Sequence, residues 1–329
     1  MSDTRPEDPA GDQGLGGEEL SADRSAADAD ALERGELPSE ARRRLGEAAA
    51  GASPWTSDLS VAELAAIRGI GFEPVGLVMG TSVYHLGSQW GYRAGGQNLW
   101  STYAGSWQRS YPCPHPFYHD DQRTGYNWEH RVWEEGLRAA RDLAHGRLMA
   151  EVQALGAHGV AGVRLQVAGL PDVAGVIELQ MVGTALRRPG RAAPATPFTS
   201  HLSGQDLAKL VRAGLAPVRL VMSIAAVEAD PGCGTEMRLG SWSNVELSQF
   251  ADAAQGVREL VLDHLHEQAR GVADAIVGAE VTYRVHELMG EARLFDLRVV
   301  GTAVRRFRRP EAGSEPLAIL RLSDPVVAR

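Results

Sequence analysis

The segment GFEPVGLVMG at residues 71–80 returns as GLAPVRLVMS at residues 214–223, a shift of 143. A second pair, IELQMVGTALRR at 177–188 and FDLRVVGTAVRR at 295–306, recurs at a shift of 118. Recurrence at a nearly fixed distance means that one supersecondary unit is used twice. That constrains the fold more than any single motif in the chain.

Each copy opens with a short amphipathic stretch, SVAELAAIRG at 60–69 and SGQDLAKLVRAG at 203–214. Ser60 with Glu63, and Ser203 with Asp206, have the spacing of a capping box, in which a hydroxyl and a carboxylate satisfy the first backbone N–H groups of a helix. Gly71 and Gly214 suit the left-handed turn that ends one. The Val-rich runs at 75–84 and 218–227 then read as strands.

A long helix follows in each copy. Trp133, Leu137, Ala140, Ala144, Leu148, Val152 and Leu155 fall at steps of three and four. Phe250, Ala254, Val257, Val261, Leu265, Ala269 and Val272 repeat the pattern 117 residues on. Such a stripe is the buried face of an amphipathic helix. Asn127 is the expected cap of the first helix, and Ser243 with Glu246 that of the second. Two strands close each copy, at 160–167 with 176–186 and at 277–285 with 292–304. The expected fold class is therefore α+β: two tandem β-α-β-β repeats, each with an antiparallel sheet and one long helix.

The shift falls from 143 to 117 across the first connection, so the first copy carries 26 extra residues. The connection that carries them, 84–133, holds Trp90, Tyr92, Trp100, Tyr103, Trp107, Tyr111 and Tyr118, and the Pro-stiffened run YPCPHPFYHDD at 111–121. Cys113, His115, His119, Asp120 and Asp121 supply thiolate, imidazole and carboxylate, a mixture that suits zinc or a similar divalent cation. Cys233, in the corresponding connection of the second copy, is a further candidate ligand. The spacing is not that of a standard zinc motif, and the second close ligand pair is missing. The other reading is a recognition loop at a surface or subunit contact. His145, His158, His264 and His266 read as surface or interface residues. Glu178 and Asp296 hold equivalent places on the last strands and read as a solvated face.

Residues 1–40 hold twelve acids, three bases and no aromatic residue. Such a segment buries too little to offset its chain entropy, and a disordered, dispensable acidic tail is expected. The expected organisation is that tail, a first unit over 58–188 with the insertion at about 87–126, a linker over 189–200, a second unit over 202–308 and a C-terminal tail over 309–329. The remainder is charge-balanced, which excludes a basic field for nucleic acid. No run reaches the roughly twenty apolar residues of a membrane span. There is no export-signal pattern, and two cysteines cannot make a disulfide framework, so a reducing cytoplasm is expected. No nucleotide loop or nucleophile elbow is present. Cys113 with His115 or His119 lacks an orienting third group, so a non-enzymatic protein is expected.

LRAARDLAHGRLMAEVQALGAHGVAGVRLQV at 137–167, followed by VGTALRR, resembles the YbjQ-like family, which is described as heavy-metal-binding. Residues 260–285 with VVGTAVRR resemble it less closely. The resemblance implies a small YbjQ/dodecin-like β-α-β-β unit that assembles into pentameric rings. On this reading the protein is a homo-oligomeric binding or scaffold protein, with the insertion as its recognition surface for a small ligand or protein partner. The alternative is heavy-metal binding through 111–121.

Overall fold

The computed structural model describes residues 22–52, 54–86, 125–169, 176–287 and 292–308. Two helices come first, α1 (Ala22–Glu33) and α2 (Ser39–Ala49). Leu45 of α2 joins the main buried cluster. Within the tail expected to be disordered through residue 40, Ala22–Glu33 is helical and Ala31 is buried.

The body follows in the order α3 (Val61–Arg68), β1 (Glu73–His85), β2 (Tyr126–Glu129), α4 (Arg131–Ala154), β3 (Gly159–Gly169), β4 (Val176–Arg187), β5 (Phe198–Thr199), α5 (Gly204–Arg212), β6 (Leu215–Asp230), α6 (Cys233–Leu239), α7 (Ser248–Ala269), β7 (Ala275–Glu287) and β8 (Arg293–Arg306). Ser60 and Glu63 form the capping box of α3, and Ser203 accepts from Asp206 N–H at the start of α5. Gly71 and Gly214 sit at φ 81° and 79°. The other two expected caps are displaced. Asn127 lies in β2 and donates to Gln249 O and Asp252, so His130 opens α4. The second long helix begins at Ser248, past Ser243 and Glu246.

The strands form two four-stranded sheets, β1-β4-β3-β5 and β2-β6-β8-β7. The expected pair of self-contained three-stranded repeats does not stand. β2 precedes α4 in the chain but pairs with β6 in the second sheet. β5, in the expected linker, runs parallel to β3 in the first, so that sheet is mixed rather than antiparallel. Each half donates a strand to the other because an open sheet edge leaves backbone groups without partners.

α4 packs on the first sheet through Trp133, Leu137, Ala140, Ala144, Leu148, Val152 and Leu155, all buried. The same cluster takes in Met222, Ile224 and Ala226 of β6 and Leu294 of β8. α7 buries Ala253, Val257, Val261 and Leu265 with the alternate residues Val221, Ala225, Val227 and Ala229 of β6. With a period of two along the strand, β6 thus presents one face to each cluster.

Candidate functional site: the junctions between the sheets

The segment PFTSHLS at 197–203 joins the two sheets. Its backbone adds to the edge of β3: Phe198 and Ser200 N–H donate to His158 O and Val160 O, and Val163 and Gly162 N–H donate back to Ser200 O and Leu202 O, all at 2.9–3.1 Å. Its side chains reach the second sheet. His201 Nε2 lies 2.5 Å from Gly278 O, an acceptor only, so this nitrogen carries the proton. Nδ1 then accepts from the Thr302 hydroxyl at 2.8 Å, and Ser200 Oγ donates to Thr302 Oγ1 at 3.0 Å. Ser200 and Thr302 are fully buried, where a satisfied hydroxyl pair fixes a contact and a broken one is costly.

PWTSDLS at 54–60 builds the same arrangement on the first sheet. Thr184 donates to Asp58 Oδ1 at 2.5 Å, and Ser57 Oγ lies 3.0 Å from Thr184 Oγ1. Arg164 Nη2 closes on Asp58 Oδ2 at 2.7 Å. Between the junctions lies a polar cleft of about 360 Å³, lined by Asp58, Arg164, His201, Asp206 and Glu280 among others. The two heptapeptides escape a reading built on apolar periodicity, since their shared residues are mainly Thr, Ser and Pro. Extending the 143-residue shift upstream finds them.

A second polar seam runs along the free edge of β6. Glu134 accepts from Ala226 N–H at 2.9 Å, and Arg141 and Gln268 donate to Met222 O, each at 2.9 Å. Burial pushes the Glu134 carboxyl up to about 7, against the bond from Ala226. His130 Nε2 is 2.8 Å from both Trp128 Nε1 and Glu228 Oε2. A single ring nitrogen is donor or acceptor, so it serves one of them at a time. On β8, Asp296 is fully buried beside Arg298 at 3.4 Å, and burial raises its carboxyl to about 6. The solvated face expected for Asp296 is thus a buried ion pair. His145 is also buried from solvent enough to depress its pKa.

Of the expected metal ligands, Cys113, His115, His119 and Asp120 lie outside the described residues, as do Asp121 and most of the insertion. Cys233 is the first residue of α6, and its sulfur is in a disulfide, where the reducing setting expected above would favour a thiol. Among the described residues, no group of three or more His, Cys, Asp or Glu side chains is placed to hold a metal ion.

No family model matches the chain, and no solved structure matches it. The chain is 34% identical over 260 residues to the encapsulin nanocompartment protein Rv1762c of Mycobacterium tuberculosis, covering 77% of this chain and 86% of that protein. This overturns the resemblance to the YbjQ-like family and the heavy-metal-binding reading that came with it. The motifs behind that resemblance, an ALGA turn after a helix and a GTA strand, fix a local helix–turn–strand geometry. Unrelated proteins can share that geometry without sharing a function.

Proposed function

The chain belongs to the family of this encapsulin nanocompartment protein, and on that premise we propose that it is a self-assembling structural protein, a building block of a protein compartment rather than an enzyme. The observation that carries the reading is β7, the outer strand of the second sheet. Val281, Tyr283 and Val285 on it are 63%, 47% and 47% exposed. A long edge strand with apolar side chains invites pairing with another chain, and monomeric proteins usually blunt or cover such edges. The pentameric ring was implied by the YbjQ-like resemblance alone and is not part of this proposal.

The aromatic insertion at about 87–126 serves on this reading as the surface that meets a partner or cargo, since seven Trp and Tyr side chains lie between residues 90 and 118. Among the described residues no helix is long and apolar enough to cross a membrane. Light scattering and electron microscopy of the purified full chain test the proposal. Discrete particles of many copies are expected. A monomer at micromolar concentration overturns it.

A further inference from the structure

We infer that residues 54–60 of one copy add as an edge segment to β7 of the next, so that copies join head to tail. This rests on the assembly reading above and names the contact that carries it. An interface of this kind is already present inside the chain. Residues 197–203 anchor their side chains on Thr302 of their own sheet and give their backbone to β3 of the other. Residues 54–60 anchor their side chains on Thr184 in the same manner. Their backbone joins no strand among the described residues.

The receiving strand is matched as closely. β3 and β7 each carry a glycine in the left-handed region, Gly162 at φ 66° and Gly278 at φ 65°. Each glycine lies in a break in register with the neighbouring strand, between Ala161 and Arg164 in one case and Val277 and Glu280 in the other. At the first break, the freed N–H groups of Gly162 and Val163 are taken by Leu202 O and Ser200 O. Their counterparts, the N–H groups of Gly278 and Ala279, fall outside the β7–β8 pairing.

Exposure follows the same logic. At the internal junction Gly204 is buried and its N–H donates to Glu63 Oε1. Its counterpart Val61 is 84% exposed, and Trp55, the counterpart of Phe198, is 46% exposed. The covered Gly204 of the internal junction is thus matched by an uncovered Val61, and the partly covered Phe198 by a more open Trp55.

Transferred across copies, the pattern is explicit. Trp55 N–H donates to Asp274 O and Ser57 N–H to Ile276 O. Gly278 and Ala279 N–H donate to Leu59 O and Ser57 O. One departure is local: Ala275 stands where Gly159 lets the Phe198 ring lie against the strand, so the Trp55 ring sits to one side. Because donor and acceptor surfaces differ, the contact is heterologous, and repeating it closes a ring or extends a chain of copies.

The test uses the full chain. Hydrogen exchange of the assembled wild type should show the amides of Gly278 and Ala279 protected to the degree of Gly162 and Val163. Trp55→Pro removes the N–H that donates to Asp274 O, and Ala279→Pro removes a donor on the receiving strand. Each should keep the wild-type circular dichroism and lose the high-mass species in native mass spectrometry. Folded variants that both assemble like wild type, or fast exchange at 278 and 279 in wild-type particles, overturn this interface and leave the assembly reading intact. A monomeric wild type overturns both. If the variants do not fold, exchange in the wild type decides.

Discussion

Glu151 of α4 accepts the backbone N–H of Met79 at 2.8 Å, at the free edge of β1. In the second half, Gln268 of α7 takes the N–H of Met222 at 3.3 Å. Each long helix therefore reaches around its sheet and satisfies a strand-edge donor with its own side chain. In the first half the device is charged. Arg44 of α2 meets the other Glu151 oxygen at 2.6 Å and ties the N-terminal helices to the body.

Replacing Glu151 by Ala leaves the Met79 donor and the Arg44 charge without their acceptor. A loss of about 2–3 kcal/mol is expected. Glu151→Gln keeps an acceptor, as position 268 does naturally, and should cost about 1 kcal/mol or less. Urea denaturation of the two variants measures the difference. Equal losses would show that the ion pair, not the strand edge, is what Glu151 serves.

Gly80 should tolerate no side chain. A Cβ there would lie 1.9 Å from Ala144 O and 2.6 Å from Leu148 N, both helix backbone. Gly80→Ala forces α4 off β1 and is expected to cost about 3 kcal/mol or more, or to abolish soluble expression. The counterpart Ser223 already carries a buried side chain, and its hydroxyl has no partner among the described residues. Ser223→Ala should therefore change stability by less than about 1 kcal/mol. Thermal melts of the pair test this, and a well-folded Gly80→Ala protein would refute the close approach of α4.

The buried carboxylates give stability a pH signature. Burial raises Glu134 to about 7 and Asp296 to about 6. In each case the folded state holds its proton more tightly than the unfolded state. These groups therefore favour folding at low pH, and that contribution is lost as pH rises from the ordinary carboxylate range through 6 and 7. Burial depresses His286 to about 4 and lowers His145, which makes stability rise with pH up to the ordinary histidine range. Wild-type curves hold both trends, so the contrast with Glu134→Gln and Asp296→Asn isolates the carboxylates. Each variant should gain up to about 3 kcal/mol relative to wild type between pH 4 and pH 8. A constant difference across that range would rule the effect out.

The hydroxyl relays can be compared directly. Thr184→Val removes the partner of Ser57 and Asp58, and Thr302→Val that of Ser200 and His201. Ser200 is fully buried, while Ser57 and Asp58 are only partly so. Thr302→Val should then cost about 2–3 kcal/mol and Thr184→Val about 1. Guanidinium unfolding that ranks them the other way would show that the first junction is the tighter one.

The sequence by itself determined the elements whose cause is local. The seven-residue stripe of α4 is buried because steps of three and four put those side chains on one helix face. Ser60, Ser203, Gly71 and Gly214 start and stop their elements for reasons contained within a few residues of chain. Tertiary structure decided where the strands go. Four residues at 126–129 read as the end of a loop, yet they complete the other sheet, because the free edge of β6 supplies partners that no local pattern reveals. Phe198 and Thr199 look like linker and become an edge strand for the same reason. Asp296 alternates with apolar neighbours and so reads as solvated. Packing on the far side of the second sheet buries it, and the guanidinium groups of Arg298, beside it, and Arg284 partly offset the loss of water.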